Sequence, residues 1–255
     1  MLVVMLPAYN ESEAVTPLLA RIAPVLEALP GESRVLLVDD GSADDTIAIT
    51  RRECERLGIP LSLVEHGVNR GLGEALKSGF TWARDHLTAD DVLVVMDTDN
   101  THDPAAIPSM LDKLADGHDV VIASRYAPGG EEVGLSPFRA LLSRGASFVL
   151  SVFLPVKGAR DYSCGYRAYT GRTIARAFTT YGDDFITEAG FVSSAEILIK
   201  CAYLPAKVGE VPLVLRYDLK GGASKMNITD TISRYITMIA AGRRAIRRQR
   251  KGVAA

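Results

Sequence analysis

Residues 92–100 have the sequence VLVVMDTDN, in which five apolar residues are followed at once by polar ones. The apolar part has the length and the β-branched content of a strand buried on both faces. Four further runs of this kind lie at residues 2–6, 33–38, 61–65 and 120–123. We predict that all five runs are strands of one buried, mostly parallel sheet.

Amphipathic stretches of helix-forming residues separate these runs, at residues 13–29, 44–57, 73–86 and 104–114. Strands that alternate with helices favour a doubly wound, Rossmann-like α/β sheet. After residue 125 the pattern loosens into loops and a few helices, followed by a predicted strand at residues 206–215 and a helix from residue 229 onward. We expect a single domain over residues 1–228, with a C-terminal helix and basic tail over residues 229–255.

The composition is that of a folded globular protein, since 47% of the 255 residues are hydrophobic and 24% are charged. A formal net charge of -2 gives no overall attraction to nucleic acid. Three cysteines in unrelated surroundings favour neither a disulfide framework nor a zinc site. We see no signal-peptide pattern and no apolar stretch near the ~20 residues that cross a bilayer. We expect a cytoplasmic protein without a transmembrane helix.

Polar segments follow four of the predicted strands directly. They are PAYNE at residues 7–11, DDGS at 39–42, NRGLG at 69–73 and DTD at 97–99. In a doubly wound sheet, ligands bind in a crevice at the carboxyl ends of the strands. The sequence therefore predicts one ligand site to which all four segments contribute.

The carboxylates of Asp97 and Asp99 are candidate ligands for a divalent cation. Two carboxylates one residue apart at the end of a buried strand repel each other unless a cation or solvent neutralises them. Mg²⁺ or Mn²⁺, held by these oxygens and by substrate phosphates, would offset charge on a departing diphosphate. The alternative is a pair of solvated loop aspartates.

Asp39 and Asp40 are candidate ligands for the ribose or base of a nucleoside. They precede Gly41, which permits the positive φ of a tight turn, so capping of that turn is the alternative role. The segment at residues 69–73 places small residues at the start of a helix, where backbone N–H groups favour phosphate.

Together, the four polar segments resemble the inverting family 2 glycosyltransferases, which have the GT-A fold. The resemblance continues through residues 124–126, 139–146 and 161–167, which are similar to the dolichol-phosphate mannose synthase branch of that family. It covers roughly residues 2–227, and it implies that residues 1–228 are the catalytic domain.

Carried over by position, the resemblance implies roles for individual residues. Asp97 and Asp99 would hold the metal and, with Arg125, form the catalytic set. The residues implied in donor binding are Pro7, Tyr9, Glu11, Asp40, Asp97, Arg216 and Lys225. The residues implied in binding an acceptor phosphate are Arg125, Arg139 and Ser143.

The implied reaction is inverting transfer of a hexose, mannose or glucose, from GDP-mannose or UDP-glucose to a polyprenyl phosphate. A phosphate acceptor is already ionised near neutral pH and needs little help from a general base. The alternatives are a family 2 transferase with a hydroxyl acceptor and a non-catalytic nucleotide-binding protein. A nucleotidyltransferase is disfavoured because residues 7–11 lack a basic, Gly-rich phosphate loop.

Two features depart from the synthase pattern or extend it. His102 lies in a segment that differs from the usual one, so a role near the site and a role in helix entry before Pro104 both stay open. Residues 229–250 mix apolar and basic side chains, as an interfacial amphipathic helix does. Peripheral docking on the cytoplasmic face of a membrane and packing on the domain are the two alternatives for that helix.

Overall fold

The computed structural model describes residues 1–219 and 231–240, and its centre is a seven-stranded sheet. The strands are β1 (Leu2–Ala8), β2 (Ser33–Asp39), β3 (Leu61–Glu65), β4 (Val92–Val95), β5 (Val120–Ser124), β6 (Glu131–Val133), β7 (Arg167–Thr170), β8 (Val208–Pro212) and β9 (Val214–Arg216). The helices are α1 (Ser12–Ala28), α2 (Thr46–Leu57), α3 (Leu72–His86), α4 (Ile107–Ala115), α5 (Pro137–Phe153), α6 (Gly171–Tyr181), α7 (Val192–Ala202) and α8 (residues 231–240).

The sheet has the order β3-β2-β1-β4-β7-β5-β8, and every pairing is parallel except the two made by β7. All five strands predicted in the first half of the chain are confirmed, with ends within two residues of the prediction. The mostly parallel α/β architecture is confirmed as well. The carboxyl ends of β1, β2 and β4 therefore lie side by side at one edge of the sheet.

The strand β7 was not predicted. It contains Arg167, which is completely buried and donates hydrogen bonds to the backbone carbonyls of Tyr162 and Ser194. A charged residue in a strand at the middle of the sheet conceals the apolar pattern on which strand prediction depends.

The single strand predicted at residues 206–215 is wrong, because the chain forms two strands there. β8 joins the main sheet, whereas β9 pairs in parallel with β6 in a separate two-stranded sheet. Pro212 ends β8, and a proline has no N–H with which to continue a ladder. Leu213 then takes the chain from one sheet to the other, donating to the carbonyl of Ser124.

The C-terminal helix α8 packs on the domain through Tyr235 and Met238, which are buried. Ile232 and Ile236 on the same helix are exposed. The proposed boundary at residue 228 falls outside the described residues, so the division into a domain and a tail stays a prediction.

Two glycines with positive φ differ in what surrounds them, and they give a matched test of the turn that follows β2. An added Cβ at Gly41 would lie 2.4 Å from the backbone carbonyl carbon of Val68, whereas one at Gly58 would meet nothing within 4 Å. We expect Gly58→Ala to lower the free energy of unfolding by about 1 kcal/mol, for its φ alone. Gly41→Ala should cost roughly 2 kcal/mol more, because two backbone segments must separate. Urea unfolding measures both, and equal losses would contradict the close approach.

Candidate active site

A cavity of about 600 Å³ lies at the carboxyl ends of β1, β2 and β4. This volume is in the range of small-molecule binding sites. All four polar segments predicted to converge contribute to its wall. The residues of the predicted site that line the cavity are Pro7, Tyr9, Glu11, Asp40, Asp97, Asp99, Arg125, Arg139 and Ser143.

Three residues of the predicted donor site are not placed in this wall. Asp39 is almost completely buried beneath the turn that follows β2. Arg216 does not line the cavity, and its guanidinium pairs with Asp218 through two hydrogen bonds of 2.9 and 2.8 Å. Lys225 lies outside the described residues.

Asp97 and Asp99 follow β4 and are held in place by their own loop. The hydroxyl of Thr98, between them, points inward and donates to the carbonyl of Pro7 at 2.7 Å. The Asp99 carboxylate accepts from the amide of Thr101 at 3.2 Å and from its hydroxyl at 2.7 Å. The inward Thr98 leaves both neighbouring carboxylates at the cavity wall.

His102, for which two roles were left open, lies in the cavity wall beside Asp97. Its Nδ1 accepts from the Asp97 amide at 3.0 Å, and its Nε2 lies 3.8 Å from the Asp97 carboxylate. The ring stacks on Tyr166 with centroids 5.0 Å apart. His102 is therefore a near-site residue that fixes the loop of Asp97.

The pair of carboxylates fits Mg²⁺ or Mn²⁺. Both ions prefer hard oxygen ligands and are usually bound through one or two carboxylates, with substrate phosphates and water at the other positions. Within residues 1–219 and 231–240, no group of three or more His, Cys, Asp and Glu side chains would hold a metal alone. A shared site, part protein and part substrate, suits the residues that are present.

A second part of the cavity wall is built on a buried ion pair between Arg125 and Asp161. The Arg125 guanidinium donates to the two carboxylate oxygens of Asp161 from Nε and Nη2, each at 2.7 Å. Burial acts to raise the pKa of Asp161, but the charge and hydrogen bonds of Arg125 outweigh it and hold that pKa below its ordinary value. Asp161 is thus an ionised carboxylate inside the protein.

Hydroxyl groups connect this ion pair to the cavity. Arg125 also donates from Nη2 to the Ser163 hydroxyl at 2.6 Å, and the Ser163 and Ser143 oxygens are 2.9 Å apart. The hydroxyl of Tyr126 donates to Ser143 at 3.1 Å. Asp161 and Ser163 were given no role in the sequence prediction, because nothing in the sequence shows which charge a buried aspartate will face.

Similarity to known proteins agrees with this geometry. The family model described as glycosyl transferase family 2 matches residues 3–170. The chain belongs to glycosyl transferase family 2. A dolichol-phosphate mannosyltransferase of Pyrococcus furiosus is 32% identical over 86% of the chain, and an undecaprenyl-phosphate mannosyltransferase of Micrococcus luteus is 34% identical over 87%. The matched region spans 57% of the first relative and 86% of the second.

Solved structures show the same fold at lower identity. Glucosyl-3-phosphoglycerate synthase from Mycobacterium tuberculosis, in complex with Mn²⁺, uridine diphosphate and glucosyl-3-phosphoglycerate, superposes with a TM-score of 0.61 at 20% identity. The similarity covers 94% of this family 2 chain and 77% of the other. At this identity it shows the fold alone, and it confirms the predicted GT-A architecture.

Asp39 and Asp40, adjacent in this family 2 chain, differ in what their carboxylates do. Asp39 accepts hydrogen bonds from the amides of Gly41 and Ser42, at 3.0 and 2.9 Å, which is the turn-capping alternative. The Asp40 carboxylate lies at the cavity and accepts from the amides of Arg70 and Gly71, at 2.9 and 2.7 Å. Asp40 therefore fastens the third polar segment to the second.

His66 connects the Asp40 carboxylate to helix α3. Its Nδ1 is 2.7 Å from the Asp40 carboxylate, and its Nε2 is 2.8 Å from the hydroxyl of Ser78 on α3. Because a carboxylate only accepts, His66 donates from Nδ1. The cavity wall at residues 69–71 is thus tied through Asp40 and His66 to a helix of the core.

Cys164 also lines the cavity but is not a nucleophile. Burial raises the pKa of its thiol to about 12, so the reactive thiolate is absent near neutral pH.

None of the helices in the described parts of this family 2 chain has the length and apolar character needed to cross a membrane.

Proposed function

We propose that this family 2 glycosyltransferase transfers a hexose from a nucleoside diphosphate sugar to a polyprenyl phosphate. The observation that carries the proposal is a single cavity lined both by the carboxylate pair of Asp97 and Asp99 and by a cluster of Arg125, Arg139, Ser143 and Ser163. The first half suits a metal-bound diphosphate, and the second suits an anionic acceptor. The names of the two curated relatives favour mannose as the hexose.

The donor would be GDP-mannose or UDP-glucose, bound between Pro7, Tyr9, Glu11 and Asp40. Asp97 and Asp99 would hold Mg²⁺ or Mn²⁺, which when bound supplies Lewis-acid stabilisation of the leaving diphosphate. A phosphate oxygen of the acceptor forms the new bond to the anomeric carbon, and the bond to the nucleoside diphosphate breaks on the opposite face. The configuration at that carbon is inverted.

The role of the basic cluster is to bring two anions together. Arg139 lies near the start of α5 and donates to the hydroxyl of Tyr217 at 2.9 Å. A guanidinium retains further donors for a phosphate oxygen. Holding both substrates in line supplies most of the acceleration, because the ionised acceptor needs no proton removed.

An apolar surface beside the cavity supports a lipid acceptor and docking at a membrane surface. On α5, Leu141, Phe148 and Val152 are between 57% and 70% exposed, while Leu142 and Ala146 of the same helix line the cavity. Exposed isoleucines of α8 add to the apolar surface of the chain. Leu141, Phe148 and Val152 are spaced by seven and four residues and so lie along one face of α5, and an exposed apolar face of this kind suits an interaction surface.

The proposal is tested by offering matched acceptors. Purified protein with Mn²⁺ or Mg²⁺ is incubated with each nucleotide sugar and with a short polyprenyl phosphate or the corresponding polyprenol. Mass spectrometry should detect the hexosyl phosphate lipid, and NMR should show inversion of the anomeric configuration. Transfer to the polyprenol but never to the phosphate would contradict the proposal and favour the hydroxyl-acceptor alternative.

Replacing His66 should weaken donor binding without stopping the chemistry. In His66→Ala the Asp40 carboxylate loses one of its three donors, and the wall at residues 69–71 loses its tie to α3. A hydrogen bond to a charged group contributes about 1.5 kcal/mol, so we expect the donor KM to rise roughly 10-fold with little change in kcat. His86→Ala is the control, because that exposed ring bonds only to its own helix. An equal loss in both variants would contradict the role of His66.

A further inference from the structure

We propose that Ser163 is a further acceptor-binding residue, whose hydroxyl donates to the phosphate of the acceptor. The inference rests on the proposed function and assigns a residue that the family resemblance left without a role. Ser163 lines the cavity, between the buried Arg125 and the predicted phosphate ligand Ser143. Its hydroxyl donates only a long hydrogen bond of 3.3 Å to Asp161, which an acceptor phosphate can replace.

Asp161 does not need the hydroxyl of Ser163. One of its oxygens accepts from Arg125 Nη2 at 2.7 Å and from the amides of Cys164 and Ser163 at 3.0 and 3.2 Å. The other accepts from Arg125 Nε at 2.7 Å and from the Arg125 amide at 3.2 Å. The Ser163 hydroxyl, at 3.3 Å, makes the longest of these contacts. It can leave Asp161 while the carboxylate keeps five N–H donors.

The two serine oxygens already accept hydrogen bonds, and each hydroxyl has one proton to donate. Ser163 accepts from Arg125, and Ser143 accepts from Tyr126. Only one proton can lie between two oxygens that are 2.9 Å apart. When Ser143 donates to Ser163, the second proton is that of Ser163, which points to Asp161 at 3.3 Å. Because Asp161 keeps five N–H donors without it, this O–H group can turn to an anion in the cavity, which both serines line.

Arg125 donates a hydrogen bond to the Ser163 hydroxyl and so strengthens it as a donor. Its five N–H groups include one on Nε, two on Nη2 and two on Nη1. Nε and Nη2 are occupied by Asp161 and Ser163, and Nη1 is 3.2 Å from Glu132, which also pairs with Arg144. The positive charges of Arg125 and Arg144 balance the negative charges of Asp161 and Glu132. Arg125 thus acts chiefly by polarising Ser163, while Arg139 supplies the net positive charge.

The test compares Ser163→Ala with Ser163→Thr, which keeps the hydroxyl. We expect Ser163→Ala to raise the KM for a short polyprenyl phosphate about 10-fold or more, the usual effect of losing a hydrogen bond to a charged group. The KM for the nucleotide sugar should not change, and the midpoint of thermal unfolding should fall by no more than about 4 °C, for the lost hydrogen bond from Arg125. Threonine should restore most of the acceptor affinity. Ser151→Ala is the control, because that exposed hydroxyl on α5 bonds only to the carbonyl of Phe148.

The outcomes separate this inference from the proposed function. If the unaltered protein transfers sugar to polyprenyl phosphate and Ser163→Ala keeps the same acceptor KM, the assignment of Ser163 is wrong and the proposed function stands. An equal rise in the KM for both substrates, with a lower unfolding midpoint, would also overturn it, since that is a structural effect. If the unaltered protein neither binds the lipid phosphate by calorimetry nor transfers sugar to it, the proposed function fails and the inference fails with it.

Discussion

Asp99→Asn is expected to lower kcat/KM by about 1000-fold, which corresponds to about 4 kcal/mol of transition-state stabilisation. Asparagine has nearly the shape of aspartate, and its oxygen can still accept from the amide and hydroxyl of Thr101. The loop should therefore keep its conformation while the carboxylate pair loses one charge. A divalent cation binds a single carboxylate beside an amide much more weakly than two carboxylates.

Binding of a nucleoside diphosphate gives a second measurement that does not depend on turnover. Calorimetry with the unaltered protein should show tighter binding when Mn²⁺ is present, and with Asp99→Asn the dependence on Mn²⁺ should disappear. Asp103→Asn is the matched control, because that carboxylate lies in the same loop but pairs with Arg21 and caps the next helical turn. Nucleotide binding that is independent of divalent cations in the unaltered protein would remove the metal assignment.

The sequence predicted those parts of the molecule in which one local pattern determines the outcome. Five apolar runs gave five strands, because most positions of β1, β2, β4 and β5 are buried and apolar, and the half-buried edge strand β3 still carries two leucines and a valine. The polar segments after β1, β2 and β4 met at one cavity, because parallel strands end at the same edge of a sheet. The position of Asp97 and Asp99 at this cavity was predicted in this way, without any knowledge of side-chain contacts.

What the sequence did not predict depends on contacts between distant residues. Asp39 and Asp40 are adjacent and chemically identical, and only the direction of each side chain decides which caps a turn and which reaches the cavity. Arg167 concealed β7 because a charged residue is not expected in a buried strand. It can be buried there because the distant carbonyls of Tyr162 and Ser194 accept its hydrogen bonds. Asp161 meets Arg125 across 36 residues of chain, a separation at which no periodic pattern connects two side chains.

Asp161→Asn should be the most destabilising replacement of a single charge in the proposed acceptor half of the site. Removing one partner of a buried ion pair leaves the other charge uncompensated, which typically costs about 3–5 kcal/mol. Asp161 is fully buried, and after the replacement Glu132, at 3.2 Å, is the carboxylate left to balance the charge of Arg125. Asp90→Asn provides the comparison, because Asp90 pairs with Arg172 at an exposed site, where a pair contributes at most about 1 kcal/mol. Urea unfolding at pH 7 measures the two losses.

The dependence on pH identifies the ionised carboxylate as the cause. The pKa of Asp161 in the folded protein lies below its ordinary value of 3.8, so its stabilising contribution is complete above that value and is lost as the pH falls through the lower, folded pKa. The stability difference between the unaltered protein and Asp161→Asn should therefore be constant from pH 7 to about pH 5 and should narrow below pH 4. A difference that stays constant down to pH 3 would show that Asp161 acts through its shape. A difference that narrows means that the part of the cavity wall around Arg125 is assembled on a buried charge.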